Sequence, residues 1–268
     1  MQLSMTTDYV ASTGDPSPYL KDIANAGFTH VHWCHQWNTD FLYSKPEIDQ
    51  IGTWLREFGL KVLDLHGSMG PEKNWASPRE YERQAGVELV RNRIEMTARL
   101  GGDVVIMHVP AETGCQPLRR SLDELRETAR QLGVRIALEN GSFPAIRELL
   151  AAYEPGYLGL CYDSGHGNLV ADGLDRLAAI KGRLISVHLH DNNGLEDEHK
   201  PVFTGTVDWP RLARILAESS YRKCVSTEAN MRKLPGMAEH DFLRQSYDAM
   251  TRFGRMVEMM KEGSRLGA

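Results

Sequence analysis

Residues 186 to 210, SVHLHDNNGLEDEHKPVFTGTVDWP, hold a dense run of groups able to bind a metal ion or move a proton. His188 and His190 alternate with Val187 and Leu189, which places the two imidazoles on one face of a short strand. Asp191-Asn192-Asn193-Gly194 then reads as a turn. Beyond it a D-x-H pair, Asp197 and His199, adds a carboxylate and a further imidazole on a loop. Gly205 follows, and Asp208 with Pro210 starts a helix. Imidazoles at a strand end, joined by a carboxylate and an imidazole from a loop, form a plausible donor set for a divalent ion.

The same arrangement recurs along the chain. His32 and His35 follow the second apolar run, His66 the third and His108 the fourth. Glu139 ends the fifth, Asp163 the sixth with His166 three residues on, His188 the seventh and Glu228 the eighth. The opposite ends of these runs carry Thr29, Lys61, Asp103, Arg135, Gly159 and Lys223 instead. Scattered surface charge would not sort in this way, so the asymmetry argues for one site at one rim. Glu139, Asp163, His188 and Glu228 come from four consecutive runs and could converge on a single ion. Carboxylate and imidazole without clustered thiolate suit Mn²⁺, Co²⁺, Fe²⁺ or Zn²⁺ better than a structural cysteine-based zinc. His32, Trp33 and Trp37, on and just beyond an aromatic-rich strand end, read as pocket wall.

The elements that must position these groups are eight short strands, LSMTT, THVHWC, KVLDLH, DVVIMHV, RIALEN, LGLCYD, ISVHLH and CVSTEA, each followed by a helical segment. Ser44-Lys45-Pro46-Glu47 and Ser77-Pro78-Arg79-Glu80 read as capping boxes, and Ser17-Pro18 as a simpler helix start. Val87, Val90, Ile94 and Ala98 form one apolar helix stripe, and Leu212, Ile215 and Leu216 another. Strict β-α alternation implies a parallel sheet, and eight units close it into a (β/α)8 TIM barrel spanning residues 1–268 as a single α/β domain. An open doubly wound sheet would carry a Gly-rich phosphate turn after its first strand, where this chain reads DYVASTGDPSP.

At 268 residues, 41% hydrophobic and 25% charged, the chain can build such a core. A formal net charge of −5 disfavours nucleic acid as ligand. The start MQLSMTTDYV lacks the features of a signal peptide, and no apolar run reaches membrane-span length. The four cysteines show no C-x-x-C spacing and read as free thiols, so a cytoplasmic location is expected. The amphipathic stretch FLRQSYDAMTRFGRMVEMM could close the barrel or pair with a second copy in a homo-oligomer.

The motifs ALENG, CYDSGHGN, SVHLHDN and STEAN, in this order at strand ends, resemble the xylose isomerase-like barrel superfamily of sugar and sugar phosphate isomerases and epimerases, inosose-processing enzymes and endonuclease IV. The resemblance runs from the first strand to Glu228. In the epimerase branch it implies one divalent ion (Mn, Co or Mg) on Glu139, Asp163, His188 and Glu228, with Glu139 and Glu228 also acting as acid and base. His66, His108 and His166 match positions that line the pocket in some members and ligate metal in endonuclease IV. Asp197 and His199 resemble the D-x-H of that nuclease, where it helps complete a trinuclear zinc site. GTVDWP resembles the isomerase version of its segment, whereas Glu198-His199-Lys200 stands where many sugar isomerases carry an arginine.

The resemblance therefore implies a divalent-metal-dependent isomerase or epimerase acting on a small carbohydrate, sugar phosphate or cyclitol ketone through an enediolate. The alternative is a multi-zinc phosphodiesterase of the endonuclease IV kind, acting on abasic DNA or another phosphoester.

Overall fold

Eight parallel strands form one sheet that curls into a barrel, with helices between successive strands. The computed structural model describes residues 1–36, 42–68, 70 and 72–266. The strands are β1 (Ser4–Thr6), β2 (His30–Trp33), β3 (Lys61–His66), β4 (Val104–Met107), β5 (Arg135–Glu139), β6 (Leu158–Asp163), β7 (Leu184–His188) and β8 (Ser226–Thr227). They lie in the order β7-β6-β5-β4-β3-β2-β1-β8. The seam between β7 and β8 is closed by single links. Leu189 N–H donates to Ser226 O at 2.9 Å, and Glu228 N–H donates to Leu189 O at 3.1 Å. Consecutive parallel strands require a crossover on the outside of the sheet, which the intervening helices supply.

Those helices are α1 (Ser17–Asn25), α2 (Lys45–Glu57), α3 (Glu80–Arg99), α4 (Gln116–Leu132), α5 (Phe143–Ala152), α6 (Ser164–Asn168), α7 (Gly173–Ile180), α8 (Trp209–Glu218) and α9 (Glu239–Leu266). The expected capping box at α2 is present, with Ser44 N–H donating to Glu47 Oε2 at 2.6 Å. Asp208 caps α8 by accepting from Arg211 N–H at 3.0 Å. Two expected helix starts are corrected. Ser17 is the first residue of α1 rather than its cap, and its N–H donates to Asp15 Oδ1 at 2.9 Å. The box at Ser77–Glu80 does not form, because α3 begins only at Glu80. Ser77 Oγ instead donates to Glu82 Oε2 at 2.6 Å and accepts from Arg79 N–H at 3.1 Å. The hydroxyl thereby ties the preceding loop to the first turn of the helix.

Most of the apolar core lies between the strands and the helices. Val87, Val90 and Ile94 of α3 are buried there, as are Leu212, Ile215 and Leu216 of α8. Each such side chain contributes roughly 1.5–3 kcal/mol relative to exposure. On α9, Phe242, Leu243, Met250 and Phe253 are buried, and the Phe253 ring meets Trp209 edge-on at 5.2 Å. The apolar face of this helix thus packs against its own barrel. Inside the barrel a separate apolar cluster, Val104, Ile106, Ala137, Cys161 and Ile185, fills the centre. Among the described residues no helix is long and apolar enough to cross a membrane.

The β3–α3 loop, which borders the site, is pressed onto α3 at Gly86. A Cβ built there would lie 2.2 Å from the Trp75 backbone nitrogen. Gly86→Ala should therefore displace backbone rather than a flexible side-chain tip. The expected cost is about 1–3 kcal/mol, read as a lower denaturation midpoint with an unchanged slope. An unchanged midpoint would contradict this packing.

Candidate metal centre

Period-two alternation brings the donors together. On one strand after another, the residue two places beyond an inward-facing one is a candidate metal donor: Ile106 leads to His108, Ala137 to Glu139 and Cys161 to Asp163. The strand register then sets these ends side by side. Asp163 pairs directly with His188 across β6 and β7, and Glu139 pairs with Cys161. Glu139, Asp163, His188 and Glu228 are all buried, and each offers a ligand atom within 4.8 Å of the others. His188 Nδ1 stands at the middle, 3.2 Å from Glu139 Oε1 and 3.2 Å from Glu228 Oε2.

Around this set the remaining expected donors form two flanks. On one side His66 Nε2 and His108 Nε2 face Glu139 Oε2 at 3.1 and 3.4 Å. On the other, His166 Nε2 and His199 Nε2 meet at Asp197 Oδ2, at 3.3 and 3.1 Å. His166 Nδ1 also points back to Glu139 Oε1 at 3.5 Å. The site residues read from the sequence are therefore gathered at one mouth, with exceptions at the second strand. His32 is fully buried deeper in the barrel, not on an open wall. Trp33 lies on the opposite side of β2 in the apolar core, its Nε1 donating to His35 O at 3.1 Å. Trp37 lies outside the described residues.

The loop that presents Asp197 and His199 is clamped from below. Asp191, fully buried, accepts from Asn192 N–H, Val207 N–H and Trp209 Nε1 at 3.0, 3.1 and 2.8 Å. Gly205 lets the chain pass this carboxylate, since a Cβ there would lie 2.4 Å from Asp191 Oδ1. His199 adopts φ 49°, unusual for a side-chain-bearing residue, while its Nδ1 bonds Glu228 O at 2.9 Å.

Asn140 and Asp64 are participants that the sequence reading does not single out, whereas His190 belongs to the strand-end imidazoles it names. Asn140 holds Asp163 through two backbone bonds, accepting from Asp163 N–H at 2.6 Å and donating to Asp163 O at 2.9 Å. His190 lies two residues past the end of β7, its Nε2 2.9 Å from Asp163 Oδ2. Asp64 pairs with His32 at 2.7 Å. The only available signal for Asp64 was a charge in the middle of an apolar strand, KVLDLH.

Burial opposes ionisation of Glu139, but His188, His66 and His108 around it outweigh this and hold it well below the usual carboxylate range. Burial acts likewise on Glu228, and His188 and His32 bring it well below that range too. Burial works against a charge on His188, yet Cys161, Glu228 and Glu139 push it well above an ordinary histidine. His166, despite burial, is pushed up to about 10 by Asp163, Asp197 and Glu139. His199, again against burial, is pushed up to about 9 chiefly by its bond to Asp197.

The donor set fits a divalent cation. Two donors each about 2.1 Å from a tetrahedral or octahedral ion stand roughly 3.0–3.4 Å apart, the spacing found between His188 Nδ1 and both glutamates. Glu139, Asp163, His188 and Glu228 could hold one ion. His66, His108 and Glu139 form a second candidate donor group, and His190, His199 and Glu228 a third. A cavity of about 350 Å³ opens beside them, lined in part by Asp8, His35, His66, Arg93 and His108. A recess of about 550 Å³ at the N-terminal mouth is lined by His30, Lys61 and Lys223, with no carboxylate among its lining residues.

The model of a family described as xylose isomerase-like TIM barrel matches residues 20–253. An uncharacterized protein, y4fM, of Sinorhizobium fredii is 28% identical over 90% of this chain and 89% of its own. Among solved structures, an L-ribulose 3-epimerase superposes with a TM-score of 0.80 at 17% identity, covering 100% of this chain and 98% of its own. A D-tagatose 3-epimerase-like protein gives 0.78 at 21% identity, covering 97% and 99%. The IOLI protein, described with a bound zinc atom, gives 0.75 at 16% identity, covering 97% and 99%. These similarities extend over the whole barrel.

The raised histidines give a pH test. In the metal-free protein the pairing of His166 with Asp163 and Asp197, and of His199 with Asp197, adds stability that is full below the ordinary histidine value of about 6.5. That stability is lost as pH rises through about 9 for His199 and about 10 for His166. A cation on these nitrogens must displace their protons. Calorimetric titration with Zn²⁺ at pH 7.5, in buffers of different ionisation enthalpy, should show net proton release and an affinity that rises from pH 6 to 9. Metal uptake without proton release would contradict the assignment.

Proposed function

This chain belongs to the xylose isomerase-like TIM barrel family, and from that premise we propose that it is a divalent-metal-dependent isomerase or epimerase of a small hydroxy-carbonyl carbohydrate. The observation that carries the reading is the placement of Glu139 and Glu228. Both carboxylates lie 3.2 Å from one imidazole nitrogen, approaching it from opposite sides of the barrel sequence. Glu139, Asp163, His188 and Glu228 would hold the ion, which supplies polarisation of a carbonyl and its neighbouring hydroxyl and so acidifies the intervening C–H.

The chain's own groups then do the proton work. A general base must be ionised, and the imidazoles around both glutamates keep them so. One glutamate takes the proton from the carbon beside the carbonyl, and the other returns one to the opposite face or the adjacent carbon. Burial of both keeps bulk water from competing for the enediolate. His66 and His108, on the open side of Glu139, border the cavity where hydroxyl groups of the substrate would be hydrogen-bonded. The 3-epimerases among the similar structures support a carbohydrate substrate, and the zinc atom in another supports a bound metal.

A second reading, a multi-zinc phosphoesterase, is favoured by one specific feature. The donor set continues without a break from His66 and His108, through Glu139, to His166, Asp197 and His199. Two or three ions there could activate water and clamp an in-line displacement.

Incubation with a panel of ketoses and inososes in D₂O separates the two. Deuterium should appear at the carbon beside the carbonyl, and Glu139→Gln or Glu228→Gln should each slow its appearance by about 10²–10⁴-fold. Absence of exchange across the panel, with three zinc ions per chain and nicking of abasic DNA, would overturn the isomerase reading in favour of the hydrolase.

A further inference from the structure

Below the donor ring lies a buried polar chain that neither reading uses. His32 on β2, Asp64 on β3 and Ser186 on β7 are all fully buried. His32 Nδ1 lies 2.7 Å from Asp64 Oδ1, and Ser186 Oγ donates to Asp64 Oδ2. The other ring nitrogen, His32 Nε2, faces Glu228 Oε1 at 3.4 Å and has no hydrogen-bond partner among the described residues. Glu228 Oε2 turns the other way, toward His188 Nδ1 at 3.2 Å. The contacts of Glu139 are of a different kind, since its oxygens face His66, His108, His166 and His188 at the donor ring itself.

We propose that Asp64 and His32 are a positioning pair that sets the orientation of the Glu228 carboxylate, holding Oε1 against the imidazole so that Oε2 is presented to Glu139, Asp163 and His188. This rests on the reading of Glu228 as a metal ligand. Ser186 and Asp64 fix the ring, because both oxygens of Asp64 are engaged and turning the imidazole would break its short bond to Oδ1. Stability alone does not account for the arrangement. Buried ion pairs can often be replaced by apolar residues of similar volume without loss, and Val104, Ile106, Ala137, Cys161 and Ile185 fill the interior of this same barrel with apolar groups. What an apolar filling could not do is hold one carboxylate oxygen in place from below.

The test is Co²⁺ binding, followed by titration calorimetry and by the visible d–d absorption of the loaded protein, alongside the melting temperature of the metal-free protein. For the double variant His32→Phe/Asp64→Leu the metal-free melting temperature should stay close to wild type. Its Co²⁺ affinity should fall about 10–100-fold, as expected when a partner behind a metal ligand is removed, and its d–d band should change. His32→Gln, which retains a donor toward Glu228, should recover most of the affinity and the band. Should the double variant not fold, Asp64→Asn keeps the shape of the pair while weakening its hold on the ring, and should lower affinity several-fold. Wild-type affinity and spectrum in the folded double variant, or in Asp64→Asn, would overturn the inference while leaving the metal centre intact. Failure of the wild-type protein to bind Co²⁺ would remove the metal centre and the inference together.

Discussion

Carboxylates cannot be withdrawn from water without compensation, and that constraint governs this molecule. Glu139 and Asp163 are 1% and 0% exposed, and Glu228 is 7% exposed. An isolated buried carboxylate would take up a proton or unfold its surroundings. Here each is met by imidazole: His66, His108, His166 and His188 for Glu139, His190 for Asp163, and His32 and His188 for Glu228. In the metal-free chain the compensating charge is carried by protons on His188, His166 and His32, which the neighbouring carboxylates raise above an ordinary histidine. A divalent ion would carry the same charge at one point, with the donors already at ligand spacing. On the proposed reading the site would exchange protons for metal with little movement.

The scaffold serves that exchange by geometry more than by composition. A closed parallel barrel turns alternate residues inward on every strand, so an apolar filling at one level automatically places the next inward residue at the mouth. Ile106, Ala137 and Cys161 fill the interior, and two residues later His108, Glu139 and Asp163 reach the rim. Loops complete the set only where they are held. Buried Asp191, with three donors upon it, and Gly205, which lets the chain pass it, keep Asp197 and His199 against the barrel rather than in solvent.

Much of this was legible in the amino-acid sequence because period-two alternation and β-α order are local properties. The eight strands, the closing of the barrel and the gathering of Glu139, Asp163, His188 and Glu228 all followed from them. What was not legible depends on contacts between strands distant in sequence. THVHWC does not say which of its alternating residues faces inward, so His32 and Trp33 were placed on one wall although they lie on opposite sides of β2. Asp64 looks like an isolated charge within KVLDLH until β2 and β7 are set beside it. Ser77 has the residues of a capping box, but the hydroxyl is taken by Glu82 when the loop folds onto α3.

The central claim is that the buried carboxylates and imidazoles at the C-terminal mouth are one cation-binding unit. Anomalous diffraction from crystals of the protein loaded with Mn²⁺ or Zn²⁺ tests it most directly. A strong peak should lie within bonding distance of Glu139, Asp163, His188 and Glu228 together. A cation bound elsewhere, with these four residues still paired only to one another, would contradict the account.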